Sequence, residues 1–245
     1  SVGLLKNDSI IYSEIFNKTG KIELPKIDFD YVAVNPIIKL PEFNRSNNWV
    51  YGKSRSNLKP LKLKFVGDLE NPKYRTIYYR PEVTYNLYDG VSPGINLINR
   101  GIKNRPLSFE IFTQYASKEE TLVGSMNFRY QLNNEIKNNY STLFNVYYNT
   151  NHYNENLRYQ VFSPSIQINF RDNKNLRSKI RKSISLSMFS VDKENNIENK
   201  NSLDKYSIFN LGYYYSDIGI IKYLNTSVNT EFSNNFGKIN LVFDY

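Results

Sequence analysis

The chain has 245 residues, enough for one large core or two modest ones, with a net charge of +9 and no cysteine. The missing thiols exclude disulfides, thiolate metal sites and a cysteine nucleophile. No apolar run approaches the ~20 residues of a membrane-spanning helix, so strands would have to make any membrane crossing.

The sequence opens at Ser1 without Met or an apolar leader, the pattern of a processed protein or a fragment. The first stretch is irregular. "ELPKIDFDYVAVNPIIKLPEFNRSNNW" (23–49) carries Pro25, Pro36 and Pro41 around a short strand signal at Tyr31, Val32, Ala33 and Val34. Residues 1–50 are therefore read as the end of a β domain or an extended connector, and 51–60, "YGKSRSNLKP", as a linker.

From residue 61 onward alternation takes over. Leu61, Leu63 and Phe65 begin it. In "YRPEVTYNLYDGVSPGINLINRG" (79–101) Tyr79, Val83, Tyr85 and Leu87 share one face with Val91, Ile95 and Leu97. Arg80, Glu82, Thr84 and Asn86 take the other, and Asp89-Gly90 reads as the tip of a hairpin. Leu107, Phe109, Ile111, Thr113 and Tyr115 oppose Ser108, Glu110 and Gln114. Leu122, Met126, Phe128, Tyr130 and Leu132 oppose Ser125, Asn127, Arg129 and Gln131. Further alternating segments lie at 141–149, 157–170, 182–191, 206–215, 218–232 and 236–245. Period two over so many segments is a β signal, and sequential loops suggest an up-and-down antiparallel meander of about ten strands from Thr76. Within 157–170 the apolar phase slips from odd to even, which predicts a bulge near Phe162 to Pro164.

A soluble sandwich and a membrane barrel both alternate. Three features favour the barrel. Several segments match the ~9–11 residues of a tilted transmembrane strand. The polar face is mainly Ser, Asn, Gln and Thr. Many of the 21 Tyr and 15 Phe stand near segment ends, as in interfacial girdles, although Tyr is also simply a good strand former. The mean hydropathy of -0.56 excludes a helical membrane protein more readily than a barrel. The expected fold is all-β: an up-and-down antiparallel transmembrane β-barrel over 61–245, not necessarily complete in this chain, preceded by a short irregular or β segment.

Lumen-facing candidates are then Arg80, Glu82, Glu110, Asn127 and Arg129. The charged members are expected either to pair across neighbouring strands and plug a narrow barrel or to point unpaired into a wide channel. The basic residues concentrate between strands, in "RDNKNLRSKIRK" (171–182) and in the acid-mixed "DKENNIENKNSLDK" (192–205). Solvated loops or contacts to anionic head groups explain them better than nucleic acid, which is not expected as a partner.

Recognisable catalytic chemistry is missing. His152 is the one histidine and is placed in an Asn-rich loop, which excludes an H-E-x-x-H site and leaves no serine elbow for a triad. Glu119-Glu120 and Asp28 with Asp30 carry no mark of an acid/base pair. Asp89 with Asp68 and Asp217 could be drawn as calcium ligands, but a hairpin turn is the more economical reading of Asp89-Gly90. No metal, cofactor or catalytic residue is assigned.

Several stretches form one pattern: "FDYVAVNPIIKLPEFNRSNNW", the segment from Lys59 to Phe65, "YRPEVTYNLYDGVSPGINLIN" and "FEIFTQYASKEETLVGSMNFRY". It resembles the C-terminal region of Bacteroidetes-type envelope proteins whose N-terminal part is a gluzincin (aminopeptidase N-like) metallopeptidase. The matching positions are Asn44, Arg45, Asn47 and Asn48, then the hairpin-turn motif Tyr85, Asn86, Tyr88, Asp89 and Gly90. The resemblance spans about Leu24 to Tyr130. It implies a periplasmic β domain ending near residue 50, an outer-membrane barrel after it, outer-membrane lipid as a partner, and other envelope proteins as further partners. The family's zinc-binding catalytic part is absent, so peptidase activity cannot be placed on these residues. The leading expectation is a non-catalytic outer-membrane module that anchors or partners an envelope protein machine. The alternatives are a solute-conducting pore, or a soluble β-sandwich that binds glycans on exposed Tyr and Trp49.

Overall fold

A computed structural model describes residues 1–245 except 17–19, 39–40, 43–44, 54–57, 67–70, 101–104, 135–137, 172–174, 176, 196–204 and 220–222. Apart from one turn of 3-10 helix at Ser46–Asn48, its regular elements are all strands. The chain divides into two compact units, Ser1–Tyr78 and Tyr79–Tyr245.

The first unit holds β1 (Val2–Lys6), β2 (Ser9–Glu14), β3 (Tyr31–Val34) and β4 (Trp49–Tyr51), paired antiparallel in the order β2-β1-β3-β4. Of the two readings of this region, the strands form a small β element and not an extended connector. β1 and β2 form a hairpin around Asn7 and Asp8, both at positive φ (48° and 64°), the backbone that a tight two-residue hairpin turn requires. Its core packs Leu5, Tyr31, Ala33 and Trp49, with Tyr51 against them. Burial here pushes the Tyr31 phenol up to about 12. Trp49 is 6% exposed, with Tyr31 edge-on at 6.1 Å and the Lys73 ammonium 5.1 Å from its ring centroid. It is a core residue, not the exposed stacking platform that the glycan-binding alternative needs.

The larger sheet is built from β5 (Leu61–Phe65), β6 (Arg75–Asn86), β7 (Gly90–Ile98), β8 (Leu107–Ala116), β9 (Thr121–Asn133), β10 (Asn139–Asn154), β11 (Leu157–Phe170), β12 (Ile180–Lys193), β13 (Lys205–Ile218), β14 (Tyr223–Phe232) and β15 (Gly237–Asp244). Its strand order simply follows the sequence from β5 to β15, and each pairing whose register is described, from β7 to β15, is antiparallel. This is the expected meander, with ten strands from Arg75 onward. The order has two ends, so backbone pairing among the described residues does not close it into a barrel.

Register turns alternation into two chemically distinct faces. One row runs Leu107, Tyr130, Phe144, Ile166, Leu186, Leu211, Thr230 and Ile239 across eight strands. The next runs Leu132, Thr142, Ile168, Ile184, Tyr213, Val228 and Leu241. On the opposite face the corresponding row is Ser108, Arg129, Asn145, Ser165, Ser187, Asn210, Glu231 and Lys238. Pleating alone enforces this separation, since successive side chains point to opposite sides.

The expected bulge at Phe162 to Pro164 is not formed. Pairing with β10 runs in constant register from Arg158 to Asn169. Leu157, Tyr159 and Val161 therefore stay on the polar face. Leu157 and Val161 are buried there, as are Val123 and Val191 on the same face of neighbouring strands. The slip in the sequence marks a change in what fills one face, from apolar near one end to Ser, Gln and Asn along the rest.

Candidate functional site

The apolar face of the second unit carries many exposed large hydrophobic side chains. Leu107, Leu122, Leu132, Leu186 and Leu211 are exposed, and Leu241 reaches 73%. Met126, Phe128, Val146, Tyr148 and Phe162 line a shallow, wholly apolar hollow of about 290 Å³ on this face. A water-facing monomer rarely exposes so broad an apolar surface.

The polar face carries Arg80, Glu82, Glu110, Asn127 and Arg129, the five residues expected to face a lumen. Alternation places Arg80 and Glu82 on one side of β6, while register sets Glu110 opposite Asn127 and Arg129 opposite Ser108. The anticipated pairing of Arg80 and Glu82 with Arg129 and Glu110 is not what forms. Arg80 pairs with Glu82 two residues along its own strand. Glu110 pairs with Arg100 at 2.8 Å. Arg129 donates to Gln131, again two residues on, at 3.3 Å. The two carboxylates are joined through a neutral group: buried Asn96 donates to Glu82 at 3.3 Å and to Glu110 at 3.0 Å. Same-face neighbours two apart on a strand compete well with cross-strand partners when the register sets a Ser or Asn opposite.

The hairpin motif occupies a different place. Leu87, Tyr88 and Asp89 form the turn between β6 and β7, and Gly90 follows at φ 72°, the left-handed region where a Cβ would also meet the Ser117 and Lys118 side chains. Asn86 accepts the Tyr88 N–H at 3.1 Å, the Asx geometry that fixes such turns. Tyr85 lies exposed on the apolar face.

Asp89 is 3% exposed and His152 4%. Asp89 Oδ1 lies 2.6 Å from the ring Nδ1 of His152 and accepts that residue's backbone N–H at 3.4 Å. Asn86 Nδ2 donates to Asp89 Oδ2 at 3.0 Å and to the His152 carbonyl at 3.2 Å. The expectation that His152 is a plain loop residue is corrected: it lies on β10, buried, and is held by the hairpin motif. Sequence reasoning could not see this contact, which spans 63 residues.

The local backbone explains why His152 needs such partners. β9 pairs with β10 only as far as Gly124 opposite Thr150, then continues along β8 alone. Gly124 has φ 142°, and a Cβ there would strike the Phe112 carbonyl. Beyond that point β10 loses its β9 neighbour and keeps only β11. The side chains of Asn86 and Asp89 take over, satisfying one N–H and one C=O that burial would otherwise leave unpaired. The Lys118 N–H donates to the Asp89 carbonyl at 3.1 Å and Glu119 accepts the Asn156 N–H at 3.1 Å, so three turns are tied together. Beside them Thr84, Ser92, Gln114 and Asn149, with Phe112 and Val123, border a cavity of mixed polarity of about 240 Å³.

An Asp–His pair is also the orienting half of a hydrolytic triad. Here, among the described residues, no hydroxyl hydrogen-bonds the other ring nitrogen, and both side chains are sealed from solvent. Nor is any group of three His, Cys, Asp or Glu among the described residues placed to hold a metal ion. Asp28 and Asp30 pair with Lys6 and Lys53, each at 2.7 Å. The hydrogen-bonded Lys53 ammonium, then the Asn7 N–H, holds Asp30 below the usual carboxylate range; Lys6 does the same for Asp28. Of the other residues singled out in the sequence, Asn44 and Asp68 lie outside the described residues. Arg45 precedes the 3-10 turn that contains Asn47 and Asn48.

Comparison with protein-family models, with curated proteins and with solved structures gives no match.

Proposed function

We propose that residues 79–245 are a membrane-embedded β module of the outer-membrane type, one that anchors or partners an envelope protein machine and itself performs no reaction. The observation that carries this reading is the broad, predominantly apolar face. Along β9 it extends from Leu122 to Leu132, ten residue steps. At ~3.3 Å per residue and a tilt of ~40° that is roughly 25 Å along the membrane normal, the height of a barrel's apolar band. A soluble sandwich would need a second layer over this face, and the exposure of its leucines counts against one. The resemblance of the hairpin motif to the barrel region of gluzincin-type envelope proteins agrees with this assignment.

The balanced polar face, with its Ser and Asn lining, favours a second reading as a conducting pore. The two are told apart by single-channel recording. An anchor whose polar face is bridged through Glu82, Asn96 and Glu110 gives no conductance, whereas a pore gives stable steps. The membrane assignment itself is tested by flotation with lipid vesicles. A chain that stays monodisperse in detergent-free buffer and does not float overturns it.

A further inference from the structure

The basic charge is unevenly placed. The stretch from Arg171 to Lys182 has six basic residues and one acid, Asp172, whereas 192–205 mixes both signs. Among the described residues it presents Arg177, Lys179, Arg181 and Lys182 exposed and Arg171 half-buried. The Arg181 guanidinium is pinned across the loop by the carbonyls of Ser178 and Ile180, at 2.8 and 2.9 Å. Arg171 sits 5.3 Å from the Tyr140 ring centroid, and the Lys182 ammonium 5.6 Å from that of Tyr215. Arg177, Lys179 and Lys182 have no carboxylate partner among the described residues. Asp217, opposite Ile180, is the acid nearest in register.

Lys182 stands at the rim of the apolar face, and Arg177 and Lys179 lie just before it in the segment leading into β12. Register sets Lys182 beside Phe170 on one side and Tyr215 on the other, and the next row inward is Ile168, Ile184 and Tyr213. The sequence of surfaces is therefore cation, tyrosine, aliphatic within two rows. A nucleic acid would use the cations and leave the adjoining aliphatic rows in water; an amphiphilic anion uses both.

We propose that the β11–β12 end of the sheet is a docking surface for an anionic membrane lipid, whose phosphate is held by Arg177, Lys179 and Lys182 while its acyl chains lie on Ile168, Ile184 and Tyr213. This rests on the membrane-embedded reading above. The test reconstitutes the full chain into phosphatidylcholine vesicles containing a minor fraction of phosphatidylglycerol, and reads the lipid at the protein boundary with spin-labelled forms of each. The wild type selects phosphatidylglycerol, and rising ionic strength removes the selection. Each charge removed weakens it about fivefold, so Arg177→Gln/Lys179→Gln/Lys182→Gln lowers it by roughly a hundredfold. Lys21→Gln/Lys26→Gln leaves it unchanged, and Lys182→Arg preserves it. Insertion without phosphatidylglycerol selection, or equal selection in the triple variant, overturns the docking surface and leaves the membrane reading intact. Failure to enter either lipid overturns the membrane reading instead.

Discussion

Substitution of Met126 by Arg tests which face of the sheet meets the hydrocarbon. Met126 is four residue steps from Leu122 and six from Leu132 on β9, which places it roughly 10 and 15 Å from the two borders of the apolar band, near its middle. Its register partners are Ile111 and Tyr148, neither of which offers a carboxylate. An arginine there costs about 2–4 kcal/mol, a thirtyfold to nearly thousandfold loss in the folded-to-unfolded ratio. Asn127→Arg inserts the same charge one residue later but on the polar face, directly opposite Glu110, and should change stability by under about 1 kcal/mol. Both variants are unfolded with urea from lipid vesicles while strand content is followed by circular dichroism. Equal losses for the two, or a smaller loss for Met126→Arg, would refute the facing of the sheet.

Four other outcomes follow from the geometry. Asp89→Ala strands the buried His152 ring and N–H and leaves Asn86 with one partner fewer, costing about 3 kcal/mol in the same urea assay. Gly124→Ala should be destabilising as well, because its φ of 142° and its approach to the Phe112 carbonyl both reject a Cβ; a neutral result would mean that β9 need not leave β10 there. In the first unit, Asp30 is held below its ordinary value of 3.8. Its contribution is therefore complete above that pH and is lost as pH falls through the lowered value, and Asp30→Asn should flatten this acid limb of a Trp49 fluorescence titration. Tyr31 titrates in the other direction. With its phenol raised from 10.0 to about 12, the four-stranded sheet loses stability as pH climbs between those values, and Tyr31→Phe should remove that loss.

The meander was legible because a strand buried or lipid-covered on one face must alternate, and 107–115 and 122–132 do so with hardly an exception. The β6–β7 turn was legible from Asp89-Gly90, where glycine supplies the positive φ. The β1–β2 hairpin was missed although Asn7-Asp8 announces it, because two short strands carry too few residues for periodicity to stand out. The expected bulge does not form, because the apolar residues at 157, 159 and 161 lie on the polar face and not on the apolar one. In fact the polar face is filled by valine and leucine near that end. The charge partners were misassigned for another reason. Which of several nearby groups an Arg reaches depends on the residue opposite it, and register is set by long-range pairing that a single segment does not encode. The Asp89–His152 contact is the extreme case, with neither residue's local sequence naming the other.

The clamp from the β6–β7 turn to β10 also bears on the order of assembly. Every pairing in the large sheet joins strands adjacent in sequence, so each hairpin can form as soon as its second strand is available, at small loop-closure cost. The grip of Asn86 and Asp89 on His152 cannot form until four further strands are in place. It is a late-closing latch, one that only a β10 in the correct register can complete.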